Sequence, residues 1–257
     1  MSNDRVLKIV LVATLLCVVC SVLVSTAAVV LRPMQEKNSQ LDMRRNILEA
    51  AQLIEPGEEV DVEALFENIE VRVIDMNTGE EAEGIDPAEY DPRKAAKDPK
   101  LGEPVPPDED LAEIKRRALY QKVYLHRNES GELDKVILPI HGLGLWSTLY
   151  GFIALEPDLK TVQGLVYYDH KETPGLGGEV DNPKWKAQWP GKVLFDDDGN
   201  YDFTVHKGPS PVQSVHDADG VSGATITLRG VDSMLRYWMG ENGYGPFLDN
   251  LKKKIDG

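Results

Sequence analysis

Beyond Leu31 this 257-residue chain has no cysteine; the only two, Cys17 and Cys20, lie inside an apolar N-terminal run. The rest of the chain therefore holds no disulfide, no thiolate zinc site and no iron–sulfur cluster of its own. In a soluble βαβ setting the C-x-x-C spacing would suggest redox or metal chemistry, but on a lipid-embedded helix it reads as small, soft residues packing against a neighbouring helix. Histidine is scarce as well: five residues are scattered without an H-E-x-x-H pattern, so no metal motif emerges. No strand–G-x-G-x-x-G–helix unit is present, which speaks against a dinucleotide-binding Rossmann fold, and no internal repeat is visible. Positive charge is in short supply, with 28 Lys and Arg against 43 Asp and Glu. Only Arg5, Lys8 and Asp4 of these precede Arg32, so the remainder keeps 26 basic and 42 acidic residues. That balance argues against nucleic acid or an anionic lipid surface as a partner.

Charge is absent altogether from Ile9 to Leu31, a run of 23 residues. A membrane-spanning helix needs about 20 apolar residues, and the run exceeds the roughly 7–15 of a signal-peptide core. It reads as an uncleaved transmembrane anchor, although Ser25-Thr26-Ala27-Ala28 offers small residues of the kind a signal peptidase takes. Arg32, Lys37, Arg44 and Arg45 outnumber Arg5 and Lys8, so counting charges does not by itself put the N-terminus inside. A very short tail before a long acidic domain suits a signal anchor with the domain outside. The run carries Thr14, Ser21, Ser25 and Thr26 but no acid, which makes this helix alone a poor ion path.

The expected organisation is a tail over residues 1–8, a transmembrane helix over 9–31, a membrane-proximal region over 32–118, and a core over 119–257. The membrane-proximal region should contain a helix from Asn38 to Ile54, a short helix capped by Asp61, a strand from Val71 to Met76, and a Pro- and acid-rich loop or insertion from Glu80 to Asp110. Leu111 to Leu119 predicts one more helix. Strands are predicted at 119–125, 135–140, 149–155 and 162–168, and a hairpin from Val193 to His206 across the Asp196–Asn200 turn. Short strands flanked by helices indicate an α+β fold with a mainly antiparallel sheet.

Three segments carry ligand chemistry. In Asp219-Gly220-Val221-Ser222-Gly223-Ala224-Thr225 two glycines permit tight turns and close approach, and two hydroxyls precede a predicted helix from Ile226 to Trp238 whose first amides would face an anion. In His141-Gly142-Leu143-Gly144-Leu145-Trp146 an aromatic follows a glycine-rich strand end. Glu172-Thr173-Pro174-Gly175-Leu176-Gly177-Gly178-Glu179 can point backbone amides at a ligand, and Trp146 with Leu176 suits a flat, partly apolar ring. Taken singly, each is also an ordinary turn or a core tryptophan. A hydrolase built on Ser222 with His206 or His216 lacks the G-x-S-x-G elbow.

Together these segments resemble the family of membrane-anchored FMN-binding domains in redox-driven ion pumps. The first segment fits the D-G-x-[ST]-G-A-T pattern at which a flavin transferase joins FMN to the last threonine by a phosphodiester. The Glu172-Thr173-Pro174-Gly175-Leu176-Gly177-Gly178-Glu179 loop and the tail Trp238-Met239-Gly240-Glu241-Asn242-Gly243-Tyr244-Gly245-Pro246-Phe247 also match. The acidic stretch before Leu119 and this tail are more like the C subunit of Na⁺-translocating NADH:quinone oxidoreductases than the G subunit of Rnf-type ferredoxin:NAD⁺ pumps. The resemblance implies covalent FMN on Thr225, with Ser222, Gly223 and Ala224 shaping its surroundings. It implies flavin contacts from Trp146, Thr173, Gly175, Leu176 and Gly177, with Glu172 less direct. It further implies an electron-carrying subunit in a bacterial inner-membrane complex of six subunits (A to F), its soluble domain periplasmic. A structural anchor without a chromophore is the non-redox alternative.

Overall fold

A computed structural model of the chain describes residues 3–256. Its first element is a helix of 48 residues, α1 (Asn3–Ala50), which runs on through Pro33. The apolar run lies within it, and α1 is long and apolar enough to cross a membrane. Two compact units divide the chain, one up to Met43 and one from Arg44 onward.

In the second unit, Asp61 caps α2 (Val62–Phe66) by accepting the Ala64 amide at 3.1 Å. Then follow β1 (Ile69–Asp75), α3 (Pro92–Ala95), β2 (Gly102–Pro104), β3 (Arg116–Ala118), β4 (Tyr120–Arg127), β5 (Leu133–Leu143), β6 (Thr148–Leu155) and β7 (Val162–Asp169). After a 3₁₀ turn at Gly177–Asp181 come α4 (Pro183–Lys186), β8 (Thr204–Val205), β9 (Asp217–Ala218), α5 (Thr225–Met239) and α6 (Gly245–Asp256). The main sheet is wholly antiparallel in the order β1-β4-β5-β6-β7. The α+β class with a mainly antiparallel sheet is what the sequence predicts.

The apolar spacing of α5 buries Leu228, Val231, Met234, Leu235 and Trp238 in the core shared with Leu138, Ile140 and Ile153. Close approach of α5 to β5 depends on Gly230. A Cβ there would stand 2.2 Å from the Leu143 carbonyl oxygen. This contact holds the start of α5 beside the β5–β6 turn, where the site lies.

β5 parts from β4 halfway along. The two pair only from Tyr124↔Ile137 to Arg127↔Leu133, whereas β5 stays paired to β6 through Leu143. Side chains fill the split. Tyr244 donates its hydroxyl to the Pro139 carbonyl and Trp238 its indole N–H to the His141 carbonyl, each at 2.6 Å. A residue in an antiparallel strand points its N–H and C=O to one side, so the N–H that Pro139 lacks would face this split, where no strand runs. His141 stacks on Tyr150 at 5.3 Å, and burial, with Arg93 adding to it, pushes its imidazole down to about 4.

Three expectations need correction. Leu111–Leu119 is not helical. Glu113 and Lys115 take positive φ, the Asp110 carboxylate captures the Ile114 and Lys115 amides, and the segment ends as β3 paired to β2. A short acidic side chain that bonds nearby amides competes with helix formation in this way. The Val193–His206 hairpin shrinks to one bridge, Phe195↔Tyr201. Beyond it β8 pairs in parallel with β9, and Asp232 of α5 takes the Val205 amide at 2.8 Å. The Glu80–Asp110 stretch is more than a loop, since it contains α3 and β2. It is fastened to the sheet by Arg93, which lies 3.4 Å over the Tyr150 ring and donates to Asp169 at 2.9 Å.

Candidate cofactor site

The three chemistry-bearing segments converge on one carboxylate. Glu172 is 5% exposed, at the head of the glycine-rich loop that follows β7. Its Oε1 accepts the amides of Leu145, Trp146 and Ser147 at 3.0, 2.9 and 3.4 Å, so the β5–β6 turn wraps around it. Its Oε2 accepts the Thr227 hydroxyl at 2.7 Å, which draws in the first turn of α5. Gly144 and Gly177 flank the carboxylate because nothing larger fits. A Cβ on either would lie 2.6 or 2.4 Å from a Glu172 oxygen. Glu172, named from sequence as an indirect flavin contact, thus has both oxygens engaged by the chain itself.

Thr225 is the first residue of α5 and is half-buried, with Ser222 and Gly223 exposed before it. Gly223 sits at φ +80°, and a Cβ there would meet Leu176 at 2.8 Å, so this motif touches the glycine-rich loop directly. Buried Ala224 occupies the N-cap without a capping side chain. The first amide bonded within the helix is that of Leu228, to Ala224 at 2.9 Å, which leaves the amides of Thr225 to Thr227 opening the helix. An uncapped N-terminus carrying a hydroxyl suits a phosphate ester.

Trp146 is 68% exposed and Leu176 45% exposed, an indole and a branched side chain presented to solvent by loops fixed from below. Thr173 and Gly175 are exposed and Gly177 is buried. The loop uses the amides of Gly175, Leu176 and Gly178 internally, on Glu179 and on the Thr173 carbonyl. Beyond Ser222 a cleft of about 360 Å³ opens between Trp185, Gln188 and Asp219. Asp219 and Gly220 brace the motif. The Asp219 carboxylate accepts the Ser210 amide at 2.6 Å and its carbonyl the Trp185 indole N–H at 2.9 Å, while a Cβ on Gly220 would collide with the His206 carbonyl at 2.2 Å.

Ser222 hydrogen-bonds to neither His206 nor His216, and His206 instead faces Asp217 at 3.7 Å. Among the described residues no three His, Cys, Asp or Glu side chains are grouped to hold a metal ion. Thr227 and Gly230 are site-building residues that sequence reasoning did not select. The second threonine of Ala224-Thr225-Ile226-Thr227, two positions past the acceptor on a helix start, was the available signal for the first.

His170 closes the rear of the site. Its Nε2 lies 2.7 Å from Asp181 and its Nδ1 accepts the Glu172 amide at 3.2 Å in the neutral tautomer that carries its proton on Nε2. The bond to Asp181 raises its pKa above the ordinary value; burial opposes the shift, and the charges of Asp181, Glu172 and Asp169 add to it. A folded-state pKa raised above the unfolded one contributes stability that is complete below about pH 6.5 and is lost as pH rises through the folded value. We expect an NMR titration to place His170 above the free-imidazole value and Asp181→Asn to bring it down; equal titration in both proteins refutes the assignment.

The fold and site define an FMN-binding domain carried behind one long apolar helix: the model of the FMN-binding domain family matches residues 144–240, which include Glu172, the amides at 145–147, the glycine-rich loop and Thr225 to Thr227. The chain belongs to the NqrC family, the C subunits of Na⁺-translocating NADH-quinone reductases. It is 49% identical to the Pseudomonas aeruginosa member over 98% of both chains, and 46% identical to that from Yersinia pestis over 98% of this chain and 95% of the relative. Among solved structures it resembles Shewanella oneidensis NqrC, with a TM-score of 0.76 and 37% identity over 82% of this chain and 97% of that one. The crystal structure of the corresponding protein from Parabacteroides distasonis gives a TM-score of 0.65 at 30% identity over 85% of this chain and 96% of that one.

Proposed function

We propose that this chain is an electron-carrying subunit of a redox-driven sodium pump, holding FMN through a phosphodiester to Thr225. The observation that carries the reading is the convergence of the Trp146 turn, the Thr173–Gly178 loop and the Thr225 helix start on Glu172. FMN supplies the redox chemistry when bound; the chain supplies placement and environment. Thr225 Oγ1 provides the ester oxygen. The amides opening α5 would face the phosphate. Trp146 and Leu176 would lie against the ring, and the Thr173 and Gly177 backbone would meet its polar edge. Covalent attachment removes loss by dissociation, so loops that leave an indole two-thirds exposed still keep the cofactor. Mass spectrometry of the tryptic peptide containing Thr225 tests the linkage; a peptide of unmodified mass from chain made with a flavin transferase overturns it.

The names of the relatives support membership of a multi-subunit membrane complex, here taken as one C subunit beside the A, B, D, E and F subunits. A flavin transferase matures the chain. We place α1 in the bacterial inner membrane with the acidic domain in the periplasm. The support is a long acidic domain without cysteine that follows one apolar helix. A reporter fused after Gly257 and active only in the periplasm is the expected result, and one active only in the cytoplasm reverses the topology.

A further inference from the structure

Glu172 is a buried carboxylate that makes no salt bridge with a lysine or arginine among the described residues. Its charge is met by four neutral donors instead: the amides of Leu145, Trp146 and Ser147 on one oxygen and the Thr227 hydroxyl on the other. Three successive amides turned onto one oxygen form a concave anion seat, here filled by the protein's own side chain. Bonds to an ionised acceptor are among the stronger hydrogen bonds, and a partly unmet buried charge would be costly, so the arrangement is close to all-or-none. Glycine at positions 144 and 177 leaves room for the carboxylate. The same residue gives its own amide to His170, so it is held at both ends.

The four bonds reach all three segments of the site. One set fixes the backbone of Trp146. The other fixes α5 two residues beyond Thr225. The intervening chain is the Thr173–Gly178 loop itself. Accepting the site's role in carrying FMN on Thr225, we propose that Glu172 is a positioning residue: its buried carboxylate assembles the site in the chain before any flavin is attached, through Thr227 and the 145–147 amides and without touching the ring. The flavin then meets a prepared seat, which lowers the ordering cost of holding it.

The test needs no flavin. Full-length chain made without a flavin transferase is subjected to hydrogen–deuterium exchange in detergent, and the amides of Leu145, Trp146 and Ser147 are compared with those of β4 and β6. In the wild type the three amides should be protected. Glu172→Ala should speed their exchange about tenfold or more, a factor in keeping with losing charge-assisted bonds. Glu172→Gln loses the charge but keeps a neutral acceptor for the 145–147 amides, and its side-chain N–H can donate to the Thr227 hydroxyl, so it should speed exchange by less than Glu172→Ala does. Thr227→Val removes only the Oε2 bond and should speed exchange at 145–147 by a smaller factor while β4 and β6 stay protected. It serves as the deciding variant if Glu172→Ala fails to fold. Fast exchange at 145–147 in the wild type, or unchanged exchange in Thr227→Val and in folded Glu172→Ala, overturns the proposal. When the variants are made with the transferase, flavin fluorescence should rise in Thr227→Val and in folded Glu172→Ala, because the indole that quenches the ring is less firmly placed. A wild-type chain found without flavin on Thr225 would refute the proposed function and leave the exchange result standing.

Discussion

Replacing Thr225 with alanine should abolish covalent FMN attachment and leave the fold intact. The Thr225 side chain makes no hydrogen bond to the described residues, so its loss should change stability by no more than about 0.5 kcal/mol. No neighbouring hydroxyl can stand in for it. Thr227 is 1% exposed and its hydroxyl is engaged by Glu172. Ser222 is exposed, but it precedes Gly223, whose positive φ turns the chain before the helix starts, so it lies outside the row of opening amides. Thr225→Ser retains a hydroxyl at the same position and should retain some attachment. In-gel flavin fluorescence and peptide mass spectrometry read both variants, and an FMN mass on Ser222 or Thr227 in Thr225→Ala refutes the assignment of the acceptor.

Gly230→Ala should destabilise the domain by about 2 kcal/mol, against the usual benefit of removing glycine from a helix. That benefit is about 1 kcal/mol. Here the added methyl would lie 2.2 Å from the Leu143 carbonyl oxygen and 3.4 Å from Gly144 Cα. The obstacle is backbone in a paired strand, which cannot swing aside as a side chain would, and overpacking of this kind costs about 1–3 kcal/mol or more. Relief requires α5 to lift from the end of β5. That movement carries Thr227 away from Glu172 and shifts the helix start that bears Thr225. The variant should therefore lose thermal stability and show a weaker hold on the flavin ring together. A Gly230→Ala protein as stable as wild type in thermal or chemical unfolding would show that the approach of helix to strand is looser than described.

The anchor, the antiparallel sheet and the long helix after Thr225 were legible in the sequence because each rests on a periodic or uninterrupted pattern. The three site segments were legible as glycine-rich loops, and the family resemblance implied that they meet at one ligand; that they meet on one buried carboxylate was not legible. It depends on Glu172, whose position in a polar loop gives no sign that it is buried under two other segments. The failed helix at Leu111–Leu119 has the same origin. Its apolar residues suit a helix, but Asp110 takes two of the amides that a helix would need, and Ala112 and Ala118 are buried by contacts with distant parts of the chain. The β8–β9 pairing joins residues separated by the Pro209–Val215 loop and is fixed by Asp232 on α5, a tertiary contact that local alternation does not encode. The parts set by tertiary contact, including the Gly230 approach and the Thr227 bond, are the parts that composition and spacing did not reveal.

The split between β4 and β5 bears on the order of events as the chain is made. The free carbonyls of Pro139 and His141 find their donors 105 and 97 positions downstream, on Tyr244 and Trp238. Synthesis delivers β4 through β7 long before either partner exists, and contacts of such separation form slowly. Until they arrive, the central strand of the sheet carries an open polar edge next to an apolar face, the kind of edge that invites pairing with another chain. A chain that must also commit an anchor to the membrane thus has an interval in which the domain is nearly built and not yet sealed. Shielding that edge, whether by a chaperone or by speed of elongation, is a demand the architecture places on the cell that makes it.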